Sequence, residues 1–118
     1  MASSPTLLSV LGSLNFDVKS GVELCGGDLE FYAELIRELY DDVLPLGSDV
    51  LTATDLQKQR DYAHKLKGTF STLGAVKASA AAFELEHALR EGRPSSLLAG
   101  ELLQEIDRIR AGLSVVFR

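Results

Sequence analysis

Apolar residues recur at intervals of three and four along nearly the whole chain, and the alternating β-branched runs that mark a sheet are missing. That period belongs to an α-helix with one buried stripe, so the sequence predicts an all-α protein. Interruptions are few: Gly26-Gly27, Pro45, Gly74 and Gly92-Arg93-Pro94. Between them, Leu29, Ala33, Ile36, Tyr40 and Val43 form one stripe, with Glu30, Glu34, Arg37 and Glu38 outside it. Pro45 lacks a backbone donor and crowds the preceding turn, which predicts a break and then further helix toward Leu51. A second stripe comprises Leu56, Ala63, Leu66, Phe70 and Leu73, with Thr54 or Asp55 as its cap and Gly74 as a left-handed terminus. Residues 76–91 form a third helix that turns Ala78, Ala82, Leu85 and Leu89 inward. Ser95 or Ser96 opens the last, carrying Leu102, Ile106, Ile109, Leu113 and Val116.

The start of the chain reads differently. After an irregular Ser3-Ser4-Pro5, the residues Leu7, Leu8, Val10 and Leu11 suggest a short accessory helix within an N-terminal extension, residues 1–15. Asp17 is a plausible cap for a second short helix ending at Gly26-Gly27, and Asp28 for the helix after it. Long helices joined by short connections predict an antiparallel up-and-down four-helix bundle over residues 17–117, within one domain spanning 1–118.

Composition excludes several functions. The net charge is −5 and the basic residues are scattered, so no cationic stripe is available for nucleic acid. No apolar run reaches the about 18 residues of a membrane span, and the first residues lack the charged start of a signal peptide. Cys25 is the only cysteine, which rules out an intrachain disulfide, fits a reducing, cytoplasmic setting and is read as a small packing residue. Glu84 and His87 form an E-x-x-H pair, but a di-iron site needs a second pair that the chain does not have. No glycine-rich nucleotide loop is present, so a kinase activity of its own is not expected. Met1 favours a separate small protein.

His64, Lys67, Gly68 and Ser71 fall on one strip of the second long helix, beside the buried row of Ala63, Leu66, Phe70 and Leu73. The imidazole is therefore expected at the edge of the core, open to solvent. Glycine inside a helix costs about 1 kcal/mol relative to alanine, and Gly68 stands one turn from His64 where a side chain would shield the ring. Lys67 is placed to neutralise an anionic group on that ring.

Residues 64–75, HKLKGTFSTLGA, resemble the signature of histidine-containing phosphotransfer (HPt) domains, roughly H-x-L-K-G-x-x-x-x-[aliphatic]-G-A. Gly26-Gly27-Asp28 followed by Tyr32, Glu34 and Leu35 is similar to that family's opening, and Leu85-Glu86 with Ala88 to its fourth-helix pattern. The likeness covers residues 17–92, the last helix agreeing in character only. It implies a four-helix bundle whose histidine takes a phosphoryl group from one receiver-domain aspartate and passes it to another.

Carried onto this chain, the resemblance makes His64 the phospho-accepting residue, Lys67 the phosphate neutraliser and Gly68 the clearance position. In the phosphotransfer domain of chemotaxis kinases a glutamate orients the histidine through its other ring nitrogen, and Glu86 occupies the corresponding position. A solvated helix face is an equal reading of Glu86. Asp61, Lys65, Ser71 and Arg90 are candidates for a docking surface, although ordinary solvated charge explains them too. The implied partners are response-regulator receiver domains and a hybrid sensor histidine kinase. The receiver brings the divalent metal, so the chain is expected to act as a monomeric, stoichiometric phosphocarrier with no cofactor of its own. The competing expectation is a helical binding module that is not phosphorylated and sequesters a receiver or kinase.

Overall fold

A computed structural model describes residues 6–117, so the irregular start expected at Ser3, Ser4 and Pro5 lies outside the described residues. Side-chain caps set several helix starts. Thr6 accepts from Ser9 N at 3.1 Å and opens α1 (Leu7–Ser13). Asp17 accepts from Ser20 N at 3.1 Å and opens α2 (Val18–Leu24), which ends before Gly26 and Gly27, both at positive φ. Asp28 accepts from Phe31 N at 3.0 Å and opens α3 (Leu29–Glu38).

Beyond α3 the regular helix gives way, because Pro45 cannot donate to the helical ladder. The chain widens into a π-helical turn (Leu39–Val43), tightens into a 3-10 turn (Leu44–Leu46) and resumes as α4 (Gly47–Thr52). The Tyr62 hydroxyl donates to the Val43 carbonyl at 2.8 Å within this irregular stretch. Asp55 then accepts from Lys58 N at 3.1 Å and opens α5 (Leu56–Leu73). After Gly74-Ala75 comes α6 (Val76–Arg90), and after Ser95 comes α7 (Ser96–Leu113). The described residues are helical with no strand.

One continuous core joins these elements, and Leu11, Ile36, Leu66, Phe70, Leu85 and Ile106 are fully buried in it. α5 lies along α6, α6 against α7, and α4 against both α5 and α7. Buried Ala78, Ala82 and Ala88 leave little side chain on α6, so its backbone comes close to its neighbours. The accessory helix α1 belongs to the core: it packs on α7, and Leu14 fills the space beside Gly112. Arg108 holds both carboxylate oxygens of Glu105, at 3.0 and 2.9 Å, and donates to the Leu14 carbonyl at 3.2 Å.

Several expected core positions differ. On α3 and its π-helical continuation the buried row is Tyr32, Ile36, Leu39 and Val43, whereas Leu29 is exposed and Ala33 and Tyr40 are only partly covered. Leu29, Phe31, Tyr32, Ala33, Leu35 and Ile36 make the apolar arc of α3 broad, so more than one rotation satisfies the helical period. Packing selects one of them: the Tyr32 hydroxyl donates to the Leu73 carbonyl at 2.7 Å, and burial pushes its pKa up to about 12. Leu56 is exposed at the first position of α5, and Gln59 is buried one turn on, donating to the Ala53 carbonyl at 2.7 Å. Leu89 and Val116 are partly covered, the latter beyond the end of α7.

The α5–α6 turn depends on Gly74, as its sequence position suggests. Its φ is +85°, and a Cβ there would stand 2.1 Å from the Asp17 carbonyl oxygen. Asp17 N in turn donates to the Gly74 carbonyl at 2.8 Å, which fastens the start of α2 to this turn. Backbone is on both sides, so neither can yield cheaply. Gly74→Ala is expected to lower stability by at least about 2 kcal/mol, measured by urea unfolding.

Candidate functional site

The geometry of α5 brings the histidine out. Ala63, Leu66 and Phe70 are fully buried, and His64, one step round the helix, has 65% of its side chain exposed. The tight Gly74-Ala75 turn lays α6 alongside, and α6 turns Glu86 toward α5. Glu86 is only 3% exposed, and its carboxylate is surrounded by donors. Its Oε2 lies 2.5 Å from His64 Nδ1 and accepts from Arg90 Nη2 at 3.1 Å. Its Oε1 accepts from Lys67 Nζ at 2.8 Å. Glu86 is thus buried and in contact with the ring, not on a solvated helix face.

A carboxylate held this way stays ionised. Burial alone would push the Glu86 pKa up, but hydrogen bonds from Lys67 and His64, with their charges, bring it below the usual carboxylate value. An ionised Glu86 accepts hydrogen bonds only, so Nδ1 carries the proton in the neutral ring and Nε2 is left as the free nitrogen.

Further contacts steady the cation and the helix pair. The Lys67 ammonium is 5.9 Å from the centroid of the Phe83 ring, and Phe83 stacks on His87 with centroids 5.8 Å apart. The Ser79 hydroxyl donates to the Lys67 carbonyl at 3.0 Å, which ties α6 to α5 at this level. A Cβ on Gly68 would meet nothing within 4 Å, so the surface beside His64 is open there.

Two depressions flank the imidazole. One, of about 490 Å³, runs between α3 with its π-helical continuation and α5, and has Leu39, Lys65, Gly68 and Thr72 in its walls. The other is polar, about 380 Å³, and includes Arg60, Asp61, Glu86 and Arg90. Asp61 and Ser71 are exposed, as is Lys65, and Asp61 accepts from Gln57 Nε2 at 2.9 Å.

The structure therefore gathers His64, Lys67, Glu86 and Arg90 into one bonded cluster, with Asp61 and Lys65 to either side and Ser71 farther along the strip. Sequence reasoning assigned Arg90 to docking and missed both its bond to Glu86 and the aromatic neighbour Phe83. The available signal was spacing: Phe83 and Arg90 lie three before and four after Glu86 on one helix. Among the described residues no three His, Cys, Asp or Glu side chains gather to hold a metal, and Glu84 is exposed. None of the described helices is long and apolar enough to cross a membrane.

The chain matches the Hpt domain family over residues 29–112 and belongs to it. The match includes α7, which the sequence resemblance joined only in character, and leaves Gly26-Gly27-Asp28 outside. No curated protein and no solved structure matches the chain. Hpt domains serve histidine phosphotransfer in two-component phosphorelays, working with receiver domains and kinases as phosphocarriers rather than catalysts.

Two measurements test the site's physics. Glu86 has a lowered folded pKa, so its contribution is complete above the ordinary value of about 4.5 and is lost as pH falls through the folded one. Glu86→Gln is expected to cost about 1–3 kcal/mol near neutral pH, the gap to wild type narrowing below about pH 4 in denaturant titrations. Gly68→Ala, at an open helix-interior position, is expected to raise stability by about 1 kcal/mol in the same assay.

Proposed function

We propose that this chain is a histidine phosphocarrier that accepts a phosphoryl group on His64 Nε2 from a receiver-domain aspartyl phosphate and hands it to a second receiver. The observation that carries this reading is the exposed imidazole whose other nitrogen rests on a buried, ionised glutamate. In the transfer, the Nε2 lone pair forms the new N–P bond. The acyl O–P bond breaks, and its electrons return to the receiver's aspartate as a carboxylate. The ring keeps its Nδ1 proton and gains positive charge, which the Glu86 carboxylate offsets. Lys67 is the neutraliser of the bound phosphoryl group, and Gly68 leaves room for the approaching receiver. Asp61, Lys65 and Ser71 line the docking face. The receiver supplies the divalent cation along with its aspartate, so this chain contributes no cofactor.

The scaffold we infer is an antiparallel up-and-down four-helix bundle of α3 with its continuation, α5, α6 and α7. The two-residue turn at Gly74-Ala75 and the short link from Glu91 to Ser95 favour it. Residues 17–117 form that bundle in a single domain, and residues 1–15 are its N-terminal extension. A monomer in the cytoplasm, between a hybrid sensor kinase and a response regulator, is the setting in which such a carrier operates.

Incubation with a receiver carrying radiolabelled phosphate and Mg²⁺ tests the reading. Acid-labile label is expected on wild type, absent from His64→Gln, and acquired about tenfold more slowly by Glu86→Gln. Label that persists on His64→Gln, or a wild type that takes none, would overturn it.

A further inference from the structure

The resting position of Lys67 is a difficulty for a phosphate carrier at His64, the reading on which this inference rests. Its ammonium is already engaged, at 2.8 Å from Glu86 Oε1. To serve a phosphoryl group on Nε2 it must give up or share that bond. The carboxylate it leaves is 3% exposed, and water reaches such a group poorly. Removing a partner of a buried charge is costly, so a Glu86 held only by Lys67 and the His64 ring would hold the lysine back and oppose phosphorylation.

Arg90 changes this balance. It lies one turn after Glu86 on the same helix and donates to Oε2 at 3.1 Å, the oxygen that Lys67 does not use. Both residues belong to α6, so this bond does not depend on what α5 does. Lys67 reaches across from α5 on a flexible stem and is 32% exposed at its side chain. Once His64 is modified, the positively charged ring, Lys67 and Arg90 surround a single carboxylate, so the ammonium's charge is available to a phosphoryl group.

We infer that Arg90 is a positioning residue that keeps Glu86 paired and oriented, and thereby releases Lys67 to the phosphoryl group when His64 is modified. It acts through Glu86 and need not touch the phosphate. This role differs from docking in what it governs. A docking residue changes how fast carrier and receiver exchange, whereas a counter-ion that frees Lys67 changes how much phosphate rests on His64 at equilibrium.

The test is the equilibrium ratio of phospho-His64 to phospho-receiver, measured with the full chain and Mg²⁺ at concentrations too low for the complex to accumulate. Arg90→Gln is expected to lower the ratio about fivefold, and Arg90→Lys to restore it to within about twofold. In a Lys67→Gln background, with no ammonium to release, Arg90→Gln is expected to change the ratio by less than about twofold. An unchanged ratio in Arg90→Gln that is folded by circular dichroism would overturn the inference, as would an equal drop in both backgrounds. Failure of the carrier reading looks different: the wild type itself would take no label, and both proposals would fall.

Discussion

Everything near His64 depends on one buried carboxylate. Glu86 is charged in a setting where burial would push its pKa up, and it remains so because Lys67 and His64 of the neighbouring helix donate to its oxygens. A buried ion pair contributes little net stability compared with apolar packing, but losing a partner is expensive. The arrangement therefore gives geometric precision: the ring at 2.5 Å is held by a group that has little freedom to move.

The rest of the fold serves that placement. Small residues on α6 let it approach α5, and Gly74 makes the turn that joins them. Tyr32 and the Asp17 backbone bond to that turn from outside, through the carbonyls of Leu73 and Gly74. The helix pair is thus anchored at one end by hydrogen bonds and along its length by the core, while the imidazole at its surface stays exposed. A fixed ring with an open face suits the family's general role, since phosphoryl transfer is chiefly a matter of positioning and charge.

The irregular stretch after α3 bears on the same face. Pro45 breaks the ladder, and the π-helical turn before it places Leu39 and Val43 in the wall of the groove that runs past His64. A helix interrupted by proline thus supplies an apolar border on one side of the ring, with the polar cleft of Arg60, Asp61 and Arg90 on the other. The two sides of the histidine thus differ in chemistry.

Much of this was legible in the sequence. Caps at Asp17, at Asp28 and at Thr54 or Asp55, the break at Pro45, the left-handed Gly74 and the strip bearing His64, Lys67 and Gly68 all come from local rules, because capping, φ preference and helical period act within a few residues. Only the tertiary structure decided the rotation of α3, which buries Tyr32 in place of Leu29, and the environment of Glu86. Periodicity states that a helix has an inner face without choosing among overlapping apolar arcs. The burial of a charge is set by what a neighbouring helix brings to it, and that neighbour is distant in the chain.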